Sequence, residues 1–317
     1  MKHNLKITAI ILGMFIITQL IGMFVVYHYS PVKIVDGQVV EKPAQNLPYG
    51  LQPPDIKQDK EFAQMFISII IAFVFAIVII FLLSKFKIDF VLKLWFFVVV
   101  GIALGITFSA LLPALPYGIF IVTLVSVPLA FQKIYGKDLF IHNFTELLIY
   151  PGIAAVFVPI LNLLTIILLL IVISLYDMWA VWHSGFMQKM AKYQINKLNL
   201  FSGFFVPYMS KQSRQKLKLI RQKSLSSKGK SKNSNTKGVK VNVAILGGGD
   251  VIFPIIAAGV VLKTPMFGLY GALLVLIGAT LGLTYLFFNS EKKKFYPAMP
   301  FITAGIFLGM LLAWIIL

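Results

Sequence analysis

The chain has 317 residues, 59% of them hydrophobic and only 13% charged, with a mean hydropathy of +0.88. A water-soluble domain carries roughly 25% charged residues, so a soluble globular fold is excluded. The absence of cysteine excludes disulfides and thiol chemistry, and the net charge of +18 is concentrated in one loop, where it reports topology before it reports a partner.

Only helices and closed barrels satisfy their backbone inside a bilayer, and long unbroken apolar runs select helices. The expected fold is an all-α polytopic bundle of about nine transmembrane helices in one domain, residues 1–317. The expected spans are Ile7–Tyr27, Phe62–Leu83, Phe90–Leu112, Tyr117–Phe131, Phe144–Ile160 and Leu163–Trp182. A basic, partly disordered loop over 183–242 follows, and then Val243–Leu262, Met266–Phe288 and Pro297–Leu317. The fifth span contains Pro151 and Pro159 and is expected to kink. The first span is longer than a signal peptide and has no small-residue cleavage site after it, so it is expected to be retained.

Basic residues mark one side of this series. Lys2 and Lys6, Lys85 and Lys87, Lys133 and Lys137, the loop His183–Lys240 with fourteen Lys and Arg and no acid, and Lys292–Lys294 fall on alternate connections. The intervening connections are neutral, balanced by acids or carry Lys263 alone. By the positive-inside rule the N-terminus is cytosolic and the C-terminus extracytosolic.

Two carboxylates lie inside these runs: Asp177 near the end of the sixth span and Asp250 near the start of the seventh. Such a residue costs about 2.5–3.5 kcal/mol at a bilayer centre and marks a functional site by default. At 1.5 Å per residue both are expected roughly 8–12 Å inside the cytosolic face, at matching depth on antiparallel helices. Two carboxylates held close cannot both ionise cheaply and share a proton. One can then activate a water while its protonated partner polarises a carbonyl. Transport proteins also place acids in membranes, so on position alone a hydrolase and a cation or proton pathway stand level. The four histidines, His3, His28, His142 and His183, lie at or near span ends without metal spacing, and no metal or cofactor is expected.

Gly247-Gly248-Gly249 directly precedes Asp250. Each glycine weakens a helix by about 1 kcal/mol relative to alanine, so irregular or closely approached backbone is expected there; close helix packing through small residues would also explain the triplet. Pro297-Ala298-Met299-Pro300 opens the last span. Its prolines leave backbone groups unpaired, although proline is also welcome at a plain helix start.

Tyr176-Asp177, Gly247-Gly248-Gly249-Asp250 and Pro297-Ala298-Met299 together resemble the Tyr-Asp, Gly-x-Gly-Asp and Pro-Ala-Leu motifs of the presenilin and signal peptide peptidase family of intramembrane aspartyl proteases. They stand in the sixth, seventh and ninth of nine expected spans, as in that family. The resemblance implies that Asp177 and Asp250 are the catalytic pair. It also implies that Tyr176, Gly247, Gly248, Gly249, Pro297, Ala298 and Met299 shape the site and help hold substrate. Met299 departs from the motif leucine, a nearly volume-conserving change. The cytosolic N-terminus resembles the presenilin branch, whose substrates are single spans with their N-termini outside. The compact chain resembles archaeal homologues, which implies no obligatory partner subunit. A prepilin-peptidase-like enzyme shares Gly-x-Gly-Asp, but the span count and the other two motifs argue against it.

The loop from Pro207 to Lys240 is rich in Lys, Arg, Ser, Asn and Gln and is expected to be disordered. It is expected to fix topology and to touch anionic membrane lipids. No stacking aromatics are interleaved with its charges, so no nucleic-acid partner is expected. Asp138 and Glu146 are expected to be solvated at the cytosolic edge.

Overall fold

The structure is a computed structural model that describes residues 5–35, 38–41, 45–52, 54, 56, 58–86, 89–112, 117–136, 138–184, 202–208, 242–290 and 296–317. Most of the expected basic loop, the turn at 113–116 and Lys292–Lys294 lie outside the described residues. The helices are α1 (Leu5–Tyr29), α2 (Asp59–Lys85), α3 (Asp89–Leu111), α4 (Gly118–Tyr135), α5 (Leu139–Phe157), α6 (Leu163–Trp179), α7 (Gly248–Lys263), α8 (Gly268–Asn289) and α9 (Met299–Ile316). Among the described residues, eight helices are long and apolar enough to cross a membrane, and α7 is shorter at 16 residues. The expected all-α bundle is present, with two antiparallel hairpins added: β1 (Val32–Val35) with β2 (Gln38–Glu41), and β3 (Gly203–Tyr208) with β4 (Asn242–Gly247).

The shortest span lies at the centre. Helix α7 packs against α1, α5, α6, α8 and α9, and Val251, Ile255, Ala257, Ala258, Val260, Val261 and Leu262 are fully buried. Small residues permit this density. Gly22 of α1 lies against Ile255, and Gly259 against Val26 and Val158, so helix backbones approach closely, as bilayer packing favours. Helices α8 and α9 cross backbone to backbone where Gly278 meets Gly305. Large apolar side chains such as Ile71, Phe75, Trp95, Phe120, Leu124, Tyr270 and Trp314 are exposed, as a protein whose solvent is lipid requires. Helix α2 is the outlying element: the most apolar window of its span contains no buried residue.

Local signals fix the element ends. Asn162 caps α6, accepting from the Thr165 N–H at 2.9 Å, while Thr165 Oγ1 accepts from the Asn162 N–H at 2.8 Å, a reciprocal capping box. Lys263, at the end of α7, donates to the carbonyls of Val158 and Pro159 at 2.8 and 3.1 Å. It thereby ties the end of α7 to the turn that follows α5.

Three expectations change. The seventh span was expected to begin at Val243, but residues 242–247 form β4, and Pro207 and Tyr208 of the expected disordered loop belong to its partner β3. Asp250 is therefore the third residue of a helix reached through extended chain, which rises about 3.3 Å per residue rather than 1.5. Phe204, Val206, Ala244 and Leu246 are buried while Val243 and Ile245 are exposed, so one face of the hairpin seals the bundle with strand periodicity. Finally, Glu146 is not solvated. Helix α5 starts at Leu139, five residues before the expected Phe144, which places Glu146 in its second turn at 0% exposure. Asp138 caps that helix, accepting from the Phe140 N–H at 2.8 Å.

Candidate functional site

Asp177, Asp250 and the start of α9 meet at one end of the bundle. Asp177 is the third residue from the end of α6 and is 7% exposed. Its Oδ2 accepts from the backbone N–H of Met299 at 3.1 Å. The first amides of a helix have no intrahelical acceptor, and they carry the positive end of its dipole. Pro300 occupies the first turn of α9 and donates nothing. The Pro-Ala-Met segment therefore presents a backbone donor to a carboxylate. One turn deeper, the Ser174 hydroxyl donates to Thr303 Oγ1 at 2.8 Å, tying α6 to α9 below the same contact.

Asp250 sits in the first turn of α7 and is partly exposed. Its carboxyl lies against Gly247, and Asp177 is near enough to act on it electrostatically. The three glycines are not equivalent. A Cβ built on Gly247 would stand 3.2 Å from Asp250 Oδ2. One on Gly248 would stand 2.6 Å from both Ser202 Oγ and Tyr150 Oη. At Gly249 it would meet only the Phe253 ring at 3.7 Å. Close approach thus requires glycine at 248 and favours it at 247, while 249 is exposed and open.

The structure brings Asp177, Asp250, Gly247, Ala298 and Met299 together and places Gly248 directly behind them. Pro297 is buried beside Ala298. Tyr176 also reaches α2: its ring meets Phe73 edge-on at 5.6 Å and Trp179 at 6.4 Å, so it joins the outlying helix to the site.

Gln19, Ser174, Thr303, Tyr150 and Ser202 were not singled out from the sequence. Gln19 had a visible signal, a long polar side chain within an apolar span. Its Nε2 donates to the Val251 carbonyl at 2.9 Å, beside Asp250, and its Oε1 has no partner among the described residues. Among the described residues no group of three or more His, Asp or Glu is placed to hold a metal ion.

Residues 12–317 match the family described as signal-peptide peptidase, presenilin aspartyl protease. Two solved structures of a presenilin family intramembrane aspartate protease share the fold. The one in the C222 space group has 16% identity over 95% of this chain and 94% of its own, with a TM-score of 0.54. The one in the P2 space group has 18% identity over 97% of each, with a TM-score of 0.54. No curated protein sequence matches. With its sequence matched almost from end to end, this multi-pass membrane chain belongs to the signal-peptide peptidase and presenilin family of intramembrane aspartyl proteases.

Proposed function

We propose that Asp177 and Asp250 are the catalytic dyad, cutting peptide bonds within transmembrane segments. The observation that carries this reading is that Asp177, held by the Met299 amide at the start of α9, lies near enough to Asp250 to act on it electrostatically. One carboxylate takes a proton from a water as it attacks the scissile carbonyl. The other, protonated, gives its proton to the carbonyl oxygen; as the C–N bond breaks it takes that proton back from the gem-diol, and the first carboxyl passes the proton it took from water to the leaving nitrogen. Tyr176, Gly247, Gly248, Gly249, Pro297, Ala298 and Met299 shape the site. Strand β4 ends on the motif glycines, so a substrate helix that unwinds here has a sheet edge beside it with which to pair.

The test uses purified wild type, Asp177→Asn and Asp250→Asn with a single-span substrate in detergent, with products mapped by mass spectrometry. Wild type cuts within the span, and each variant loses about 100-fold or more in rate. Equal cleavage by the variants overturns the assignment.

Orientation follows from charge. Alternate connections are basic, which supports a cytosolic N-terminus, an extracytosolic C-terminus, and substrates whose N-termini lie outside. The chain contains no cysteine, so single-cysteine variants report sidedness cleanly. In whole cells an impermeant maleimide labels Gln52→Cys and leaves Ser234→Cys untouched; the reverse pattern inverts the topology. The compact chain acts without an obligatory partner subunit, and activity of the purified single chain checks this.

A further inference from the structure

A polar chain runs from α4 through α5 to the glycines before Asp250. Glu146 of α5 is fully buried and forms an ion pair with Lys133 of α4. Tyr150, one turn on, donates its hydroxyl to the other Glu146 oxygen. With that proton committed, the Ser202 hydroxyl is the donor in its 3.4 Å contact with Tyr150 Oη. The Ser202 carbonyl accepts from the Gly248 N–H at 3.2 Å, and Gly248 is two residues from Asp250.

The first turns of α5 also hold the backbone of β3. Lys133 Nζ lies 3.2 Å from His142 Nδ1, and His142 Nε2 lies 2.9 Å from the Gly203 carbonyl. Since an ammonium can only donate, the ring carries its proton on Nε2 and donates it to Gly203. Asn143 donates to the Phe205 carbonyl at 2.8 Å and accepts from the Phe205 N–H at 2.9 Å. Alternate residues of β3, 203 and 205, are thus gripped from one helix, while Gly203 pairs with Gly247. A cavity of about 80 Å³ lined by Lys133, His142, Glu146 and Ser202 adjoins the ion pair.

An ion pair this deep is weak evidence for stability, because an apolar pair of similar volume often does as well. Its geometry suggests another use. We propose that Glu146 and Tyr150, oriented by Lys133, are positioning residues: through Ser202 and Gly248 they set where Asp250 stands relative to Asp177, and hence the turnover rate and the bond that is cut. The inference rests on the dyad reading above. It requires no contact between Tyr150 and substrate.

The test compares purified full-length wild type, Tyr150→Phe, Ser202→Ala and Asp250→Asn on a single-span substrate, measuring kcat, KM, product masses and Tm. Tyr150→Phe keeps the ring that meets Phe204 edge-on at 6.1 Å, so its fold is retained. The expected result is a kcat about tenfold lower with KM within about twofold, and cleavage spread to bonds beside the wild-type site. Ser202→Ala shifts both in the same direction. Unchanged kcat and product masses in both variants, with Asp250→Asn inactive, overturn the positioning role and leave the dyad standing. A lowered Tm with wild-type kcat and products in the folded fraction also overturns it, as a merely structural role. Cleavage by Asp250→Asn at the wild-type rate overturns the dyad and this inference with it.

Discussion

The backbone N–H of Met299 and the carboxylate of Asp177, 122 positions apart in sequence, are joined by a 3.1 Å hydrogen bond. The contact uses the main chain of Met299, so the departure from the motif leucine leaves it intact. Met299→Leu is therefore expected to keep kcat within about twofold, since the two side chains differ little in volume. Met299→Pro removes the N–H and is expected to lower kcat about 100-fold, the usual scale for losing one oriented donor at a reacting centre. Steady-state kinetics on the two purified variants check this; a fully active proline variant would show that the bond is dispensable.

The Ser174–Thr303 hydroxyl pair lies below that contact and joins the same two helices. Thr303→Val preserves shape but leaves the buried Ser174 hydroxyl without this partner. It is expected to cost about 1–2 kcal/mol, read as a lower Tm in detergent. An unchanged Tm would mean that the hydroxyl pair adds nothing to the apolar packing and the Asp177–Met299 bond that join α6 and α9.

The glycine triplet yields an ordering that its sequence conceals. Gly248→Ala places a methyl against Tyr150 and Ser202, and overpacking of this kind costs about 1–3 kcal/mol. Gly249→Ala meets only an ordinary contact with Phe253 and, inside α7, gains roughly 1 kcal/mol of helix propensity. Thermal melts of both variants are expected to place Gly249→Ala at or above wild type and Gly248→Ala below it. The opposite order would contradict the packing around Tyr150.

Much of the site was legible in the sequence because an acid within an apolar span has few explanations. Asp177 and Asp250 were each found by that anomaly, whereas the Pro-Ala-Met segment stood out only through its resemblance to the family motif. The β3–β4 hairpin was not legible. Asn242-Val-Ala-Ile-Leu-Gly247 is a short apolar run, and periodicity alone cannot separate a buried strand from the start of a helix. Its partner, 203–208, lies some forty residues upstream and runs at Pro207 into a stretch whose composition reads as disordered. Glu146 was misplaced for a related reason. Hydropathy places a span's start at its apolar onset, whereas α5 begins five residues earlier at the Asp138 cap, which puts the carboxylate inside the packed bundle opposite a lysine that no local pattern assigns to it.

Gln19 links α1 to the segment that carries Asp250. Pro254 has no N–H, so the Asp250 carbonyl four residues earlier lacks its helical donor. The next carbonyl, that of Val251, accepts a further hydrogen bond from Gln19 Nε2 at 2.9 Å. Gln19→Leu fills similar space without a donor and is expected to cost about 1 kcal/mol. A lower Tm and slower cleavage at unchanged KM would show that α1 steadies this turn; wild-type values for both would show that α7 holds it unaided.

The Lys133–Glu146 pair allows a test by charge balance. Both side chains are almost fully buried, so removing one strands the other. Lys133→Met alone is expected to destabilise by about 3–5 kcal/mol, because an unpaired carboxylate then remains inside the bundle. Adding Glu146→Gln removes that charge while keeping an acceptor for Tyr150, so the double variant is expected to recover most of the loss. Melting curves of the single and double variants close the cycle. A single variant as stable as wild type would mean that water already reaches Glu146 through the adjoining cavity.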